Sequence, residues 1–325
     1  MPQVELSIRA GRDAETIRTL IGAVTEAVSS TLVVNRSSVR VIVHEIPATH
    51  WANGGMTLFE RDDIPQLAAR LGEATAAGTE IARLSTEVAM TLADAYAIQL
   101  AGLDLRVAAG EVPVGLKLGF TSKEKAAQMG VDDVILGVLT STMLIDDGGT
   151  LDTSALIHPR VEPEVAFRFA EDAGGLDLTD PDTDLLAHVT HLAPALEVID
   201  SRYRDFSFTL ADVVADNASA SRYVIGPWKP LDAVRDRIGD RQVWLRVDDT
   251  VAATGSTRAI LNDPLAAVPA ATRLAARYGH PLPGGAVLLA GAATAAVPLP
   301  ESGRVSAEVE GLGTVSMTTH RTATD

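Results

Sequence analysis

The hydrophobic pattern of this chain changes near residues 62–65, and this change limits the possible fold more than any other feature. Before it, the sequence predicts a strand, a helix and a second strand. After it come long alanine-rich helices and then many short strands. No flexible Gly/Ser linker or low-complexity tract lies between the two parts. The sequence therefore predicts two domains, residues 1–63 and residues 64–325.

The first part has the pattern of a single β-α-β unit. Apolar and polar residues alternate over Pro2–Ile8, which predicts a half-buried strand. Asp13 is placed to cap a helix with one apolar face, and Val39–Ile46 forms the next strand. Residues Met56–Phe59 form either a short edge strand or part of a hairpin. Because two parallel strands bury little core, we expect this unit to need partners that complete its sheet.

The second part combines early helices with later strands. Helices are predicted over Gln66–Ala77 and Thr91–Leu103, with Thr91 as a cap, and over Asn262–Tyr278, where Pro269 should kink or break the helix. The predicted strands are Val161–Phe169, Ala195–Ile199, Gln242–Val247, Val251–Thr254, Val287–Ala290 and Val305–Val309. Mostly antiparallel strands with helices segregated early predict an α+β fold around a barrel or a folded sheet.

The net charge excludes some classes of partner. With a formal charge of -16 and a pI near 4.8, the chain repels nucleic acid and anionic membranes, so an anionic substrate must meet local arginine, lysine or metal. Cysteine is absent, which excludes disulfides and thiolate chemistry. The sequence shows neither a secretory signal nor an apolar run of ~20 residues, so we expect a cytoplasmic protein.

Four residues of the first part could form a site around a terminal amine. If Met1 is removed, Pro2 carries a free secondary amine. Like charge from Arg12 and Arg40, and an apolar wall that includes Trp51, would disfavour the protonated amine. The same arginines offer two-pronged hydrogen bonding to carboxylates. Taken alone, both arginines are better explained as solvated surface residues that flank a loop and a strand.

Three motifs together resemble the 4-oxalocrotonate tautomerase family over residues 2 to about 60: P-x-V-x-L-x-I-x-x-G-R, S-V-R-V-I-V-x-E and T-H-W-A-N-G-G. The resemblance implies that Pro2 is the general acid/base and that Arg12 and Arg40 bind and polarise a carboxylate substrate. It makes Trp51 the aromatic wall, where the family usually has phenylalanine. It also implies a homo-oligomer, a hexamer in which a neighbouring subunit lends one arginine.

Three glutamates of the second part could converge. Glu162 and Glu164 share one face of a predicted strand because side chains alternate with a period of two. Glu197 sits in an apolar strand, where a buried carboxylate demands a partner. Three carboxylates make a hard-oxygen site suited to Mg²⁺ or Mn²⁺. The alternative is that the Glu-x-Glu pair is simply a solvated face.

Lys117 is a charge in another apolar run, and by itself could be a lysine that extends its amine to water from a strand end. The set V-G-L-K-L-G-F-T-S, L-I-H-P-R-V-E-P-E-V-A-F, E-V-I-D-S-R-Y-R-D-F and V-V-A-D-N-A-S-A-S-R resembles the metal-dependent hydratase/decarboxylase branch of the fumarylacetoacetate hydrolase superfamily, over roughly residues 64 to 318. This resemblance implies a divalent metal on the three glutamates, a substrate contact from Lys117 and a pocket lined by Ser219.

Hydratases of this branch usually carry an acid after the lysine strand. The matching position here is Ile135, with Asp132 and Asp133 close by, whereas D-S-R-Y-R-D-F resembles the decarboxylases. The resemblances imply a bifunctional enzyme of aromatic meta-cleavage catabolism that acts on a small dicarboxylate. It would ketonise 2-hydroxymuconate to 2-oxo-3-hexenedioate and decarboxylate that product to 2-hydroxy-2,4-pentadienoate. The alternatives are a tautomerase-hydratase fusion acting on 2-hydroxypentadienoate, and a decarboxylase whose first domain is only an oligomerisation scaffold.

Overall fold

A computed structural model of the chain describes residues 1–122, 133–180 and 182–322. The chain divides into two compact units, Met1–Gln66 and Leu67–Asp325, and the division falls inside a helix. The elements of the first unit are β1 (Gln3–Arg9), α1 (Ala14–Leu32), β2 (Arg40–Ile46), β3 (Ala52–Asn53) and β4 (Met56–Thr57).

The first unit is the β-α-β arrangement that the sequence predicts. β1 and β2 pair in parallel, with Gln3 opposite Arg40. Asp13 caps α1, because its carboxylate accepts a hydrogen bond from the Thr16 N–H at 2.7 Å. β3 and β4 form a hairpin whose turn holds two glycines with positive φ, which confirms the hairpin alternative. No residue of β1, α1 or β2 is fully buried, so these elements contain little core.

The second unit is larger and contains most of the strands. Its helices are α2 (Ile64–Ala77, which begins before the division), α3 (Leu92–Ala108), α4 (Leu210–Ala215), α5 (Leu231–Val234) and α6 (Ala267–Tyr278). Its strands are β5 (Pro113–Gly119), β6 (Ile135–Thr140), β7 (Leu144–Ile145), β8 (Thr150–Asp152), β9 (Arg160–Phe169), β10 (Val189–Ile199), β11 (Ala220–Ile225), β12 (Lys229–Pro230), β13 (Gln242–Val247), β14 (Thr250–Ser256), β15 (Val287–Ala292), β16 (Val297–Pro298), β17 (Gly303–Val309) and β18 (Gly313–His320).

Two mixed sheets form the body of this unit. The larger has the strand order β6-β5-β15-β9-β10-β11-β7, and β12 and β16 add to β10 and β9. The smaller has the order β14-β13-β17-β18-β8. One apolar cluster includes Val161 and Leu196 from the larger sheet and Leu245, Val305 and Val315 from the smaller, so the sheets pack against each other. This architecture, a curled half-barrel with helices, confirms the predicted α+β fold.

The helices follow their sequence signals with one exception. Thr91 caps α3: its hydroxyl accepts from the Asp94 N–H at 3.2 Å, and the Asp94 carboxylate accepts from the Thr91 N–H at 2.8 Å. The prediction that Pro269 breaks its helix is wrong, because α6 starts at Ala267 and places Pro269 in the first turn, where no intrahelical N–H bond is lost. None of the described helices combines the length and hydrophobicity needed to cross a membrane.

Candidate active site

The pairing of β9 with β10 brings three glutamates together. Glu162 and Glu164 share a face of β9, and Glu197 of β10 lies directly opposite Glu162 in the antiparallel register. One carboxylate oxygen from each residue lies within 4.8 Å of the others. Their exposed fractions are 6%, 0% and 1%, so the Glu-x-Glu pair is not a solvated face. The structure thus brings together all three glutamates that the sequence singles out.

These carboxylates are buried at a cost in electrostatic free energy. Glu164 Oε2 accepts a hydrogen bond from the Gly291 N–H at 2.8 Å, but among the described residues Oε1 has no hydrogen-bond partner. Burial raises the pKa of Glu164 well above its ordinary value, and the negative charge of Glu197 raises it further. Burial also raises the pKa of Glu197, although nearby Lys117 opposes this shift.

Lys117 places a positive charge next to Glu197 in this cluster. It lies on β5, is 3% exposed, and places its Nζ atom 3.0 Å from Glu197 Oε2. Burial alone would lower the pKa of the Lys117 ammonium, but Glu197 and the other two glutamates more than offset this and raise it. The donor set, with the unpaired oxygen of Glu164, fits a small divalent cation with hard-oxygen preference such as Mg²⁺.

A strained turn contacts the Lys117 ammonium in addition to Glu197. Residues Asn217–Ser219 have φ values of 51°, 51° and 58°, a left-handed conformation that is costly for non-glycine residues. The Asn217 side chain accepts from the Val138 N–H at 2.8 Å and donates to the Val138 carbonyl at 2.9 Å, which anchors the turn to β6. The Ala218 carbonyl accepts from Lys117 Nζ at 3.1 Å, and Ser219 Oγ is buried without a hydrogen-bond partner in the described part of the chain.

The sequence-based reasoning did not identify Asn217 as a positioning residue. A signal was available, because asparagine is one of the few residues that adopts the left-handed conformation readily. It stands directly before Ala218 and Ser219 in the motif V-V-A-D-N-A-S-A-S-R.

The four proposed residues of the first unit do not all meet within one chain. Pro2 precedes β1 and its carbonyl accepts from the Arg40 N–H at 3.0 Å, so Pro2 and Arg40 lie side by side. Arg12 follows the opposite end of β1, where its guanidinium donates to the Arg9 carbonyl at 2.5 Å. β1 is seven residues long, so its two ends lie about 20 Å apart. Trp51, half-buried, follows the carboxyl end of β2, which is the same edge of the sheet as Arg12.

The position at which the family resemblance predicts an acid for hydratases is apolar here. Ile135 is 3% exposed at the start of β6 and pairs with Gly119 of β5. Asp133 forms an ion pair with Arg273 at 2.7 Å, in which both side chains are half exposed. Asp132 lies outside the described residues. The position of Ile135 therefore provides no acid for the site.

Two family models match separate parts of the chain. Residues 2–60 match the model described as Tautomerase enzyme. Residues 115–319, more than half of the 325 residues, match the model described as Fumarylacetoacetate (FAA) hydrolase C-terminal. The chain belongs to the fumarylacetoacetate hydrolase family. All three glutamates, Lys117 and Ser219 lie inside the part that matches this family.

Relatives in the fumarylacetoacetate hydrolase family have two kinds of activity. A 4-oxalocrotonate decarboxylase from Pseudomonas sp. is 43% identical over 256 residues, which cover 79% of this chain and 98% of the relative. A 2-keto-4-pentenoate hydratase from Burkholderia vietnamiensis is 37% identical over 263 residues, which cover 80% of this chain and 99% of the relative. The solved structure of 4-oxalocrotonate decarboxylase from Pseudomonas putida G7, complexed with magnesium and adipate, superposes with a TM-score of 0.73 at 34% identity, covering 80% and 98% of the two chains.

Proposed function

We propose that this chain catalyses two consecutive steps in the catabolism of aromatic ring-cleavage products. The first unit ketonises 2-hydroxymuconate to 2-oxo-3-hexenedioate. The second unit decarboxylates this dicarboxylate to 2-hydroxy-2,4-pentadienoate and CO₂. The observation that carries the proposal is the buried cluster of three glutamates and Lys117 in a chain that also matches a tautomerase. The decarboxylase relatives, one of them solved with magnesium and a dicarboxylate, support it.

In the first step, Pro2 acts as acid and base. With Met1 removed, the Pro2 amine takes the proton of the 2-hydroxyl group and delivers it to C5, so that C2 becomes a ketone. Arg40 and Arg12 bind the substrate carboxylates, and Trp51 forms the wall. Because Arg12 lies about 20 Å along the strand from Pro2, a complete pocket takes its Arg12 from another copy. We therefore propose a homo-oligomer, which the small core of the first unit also favours.

In the second step, the bond between C5 and the C6 carboxylate breaks and its electrons move through the conjugated chain to the C2 oxygen. Glu162, Glu164 and Glu197 would hold Mg²⁺ or Mn²⁺, which when bound supplies Lewis-acid stabilisation of that developing charge. Lys117 contributes a fixed positive charge, and Ser219 offers a buried hydroxyl donor. Burial of these groups limits the access of water.

Hydration is the second candidate function, because hydratases are among the relatives. A hydratase needs a group that assists the addition of water, and the position expected for this acid is the buried Ile135. This observation favours decarboxylation. The two functions differ in a simple product test, since a protein that only hydrates 2-hydroxypentadienoate would leave the distal carboxylate of 2-oxo-3-hexenedioate in place.

The central experiment follows 2-hydroxymuconate with the purified protein by ultraviolet absorption and NMR. With the protein in chelator, we expect 2-oxo-3-hexenedioate to accumulate faster than it does in buffer without protein. With Mg²⁺ we expect it to be consumed while CO₂ and 2-hydroxy-2,4-pentadienoate appear. Accumulation of 2-oxo-3-hexenedioate without CO₂ in Mg²⁺, together with addition of water to 2-hydroxy-2,4-pentadienoate supplied directly, would establish hydration instead. Ketonisation no faster than without protein would leave the first unit as a scaffold.

Replacement of Gly137 by alanine tests the support of Lys117. An added Cβ would lie 2.8 Å from the Asn217 carbonyl oxygen and 3.0 Å from Lys117 Cδ, so the turn or the lysine must move. Because displacement by about 1 Å can reduce a rate by ~100-fold, we expect kcat for decarboxylation to fall by tens of fold. The matched control is Gly175→Ala, where the new Cβ meets no atom within 4 Å. An unchanged kcat in Gly137→Ala would contradict the role of this turn.

A further inference from the structure

A second cavity lies between α2, α3 and the larger sheet. Its apolar wall includes Leu71, Ile98, Leu103 and Val138, and its volume is about 420 Å³. Val138 points to the opposite face of β6 from Gly137, which lies against Lys117, so the cavity and the glutamate cluster are on opposite faces of this strand. The volume falls in the ~300–1,000 Å³ range of sites that bind small molecules.

Two glycines keep this cavity open. Gly72 lies within α2 and Gly102 within α3, and both line the cavity. Glycine destabilises a helix interior relative to alanine, so its presence usually reflects a left-handed backbone or a close neighbour. Neither reason applies, because both residues have ordinary helical φ and an added Cβ would meet no atom within 4 Å. The structural effect of these two glycines is therefore the free volume itself.

The polar part of the cavity has one positive charge in excess. Three arginines and two carboxylates line it: Arg106, Arg202, Arg222, Glu111 and Asp216. Arg202 forms a buried ion pair with Asp216. Arg222 donates to the Ser221 carbonyl at 2.9 Å, and Glu111 accepts from the Thr140 hydroxyl.

Arg106 differs from the other two lining arginines because the described residues give its guanidinium neither a carboxylate partner, as Arg202 has, nor a carbonyl partner, as Arg222 has. Across the described ranges no carboxylate lies within ion-pair distance of its guanidinium, which contacts the Met143 sulfur at 4.0 Å. Burial, and then the positive charge of Arg202, lower the pKa of Arg106, so a bound anion would stabilise its charged form. Arginine is also the side chain best suited to grip a carboxylate with two parallel hydrogen bonds.

We propose that this cavity is a second ligand site, which binds a small monocarboxylate with an apolar body through Arg106. The single excess charge selects a monoanion, and the apolar wall between α2 and α3 takes the hydrocarbon part. The site does not depend on the proposed reactions. It is nevertheless connected to them, because Asn217 lines the cavity and belongs to the turn that holds Lys117.

Binding of hexanoate to the full-length protein tests the site, measured by calorimetry in chelator so that no metal-bound carboxylate contributes. We expect saturable binding that hexanamide does not reproduce and that Arg106→Gln weakens by tenfold or more. Arg235→Gln, at an exposed arginine outside the cavity, makes the same change in net charge and should bind hexanoate normally.

A second variant fills the space without removing charge. Gly102→Leu should abolish hexanoate binding while Tm stays the same or rises, since leucine favours the helix and enters free volume. Three results would overturn the proposal: no binding of hexanoate, binding that neither variant weakens, or a Gly102→Leu protein with lower Tm or altered oligomeric state. The last result would show that another part of the protein occupies the space.

Discussion

Replacement of Glu164 by glutamine is expected to reduce release of CO₂ from 2-oxo-3-hexenedioate by more than about 100-fold. The carboxylate is fully buried, and its Oε1 atom has no hydrogen-bond partner among the described residues, so a cation is the group that would satisfy it. The glutamine amide offers one neutral oxygen in place of the two oxygens of a charged carboxylate, so the ion would be held weakly. The measurement is CO₂ release at saturating Mg²⁺, with ketonisation assayed in parallel.

The fold should survive this substitution, because it removes one of three carboxylates that repel each other. Thermal unfolding provides an independent readout. Mg²⁺ at about 100 times its Kd should stabilise the unchanged protein by ~2.7 kcal/mol, and this effect should vanish in Glu164→Gln. Glu310→Gln, at an exposed glutamate of the same unit, is the matched control. Full decarboxylation in chelator, or an Mg²⁺ effect that persists in Glu164→Gln, would exclude the metal site.

Replacement of Pro2 by alanine is expected to slow ketonisation of 2-hydroxymuconate by about 10² to 10⁴-fold, the usual contribution of a positioned acid/base group. The secondary amine becomes a more flexible primary amine in front of β1, so both its basicity and its position change. Decarboxylation of 2-oxo-3-hexenedioate supplied directly should continue at the normal rate, because the glutamates and Lys117 belong to the other unit.

Gln3→Ala serves as the control for this variant. It changes the exposed first residue of β1 and leaves the Pro2 amine intact. Intact-mass measurement must accompany both proteins, since retained Met1 would block the amine and favour the scaffold alternative. If Pro2→Ala, with Met1 removed, ketonises as fast as the unchanged protein, Pro2 has no role in the reaction.

The centre of the candidate site was predictable because it depends on short-range periodicity. A period of two places Glu162 and Glu164 on one face, and a carboxylate among apolar neighbours marks Glu197 as buried and partnered. The register that sets Glu197 opposite Glu162 joins residues 35 positions apart, and a single sequence contains no physical signal for it. The family resemblance supplied that link.

Other features depend on contacts between distant segments and could not be predicted. The turn at Asn217 is stable because Val138, far away in the sequence, offers both backbone groups to one side chain. The cavity behind β6 depends on how α2 and α3 pack, which their periodicity does not determine. The error at Pro269 had a local cause: the helix was predicted to begin several residues too early, which moved a harmless first-turn proline into the interior.

Under the proposed function, the distance between Pro2 and Arg12 along β1 would make the two reactions depend differently on protein concentration. The glutamate cluster and Lys117 come from a single polypeptide, so the proposed decarboxylation would scale linearly with the number of chains. A proposed ketonisation pocket that takes Arg12 from a second copy would require two chains to associate and would be lost first at low protein concentration. Under the proposed function, dilution of the protein would therefore slow ketonisation before it slows decarboxylation of 2-oxo-3-hexenedioate supplied directly.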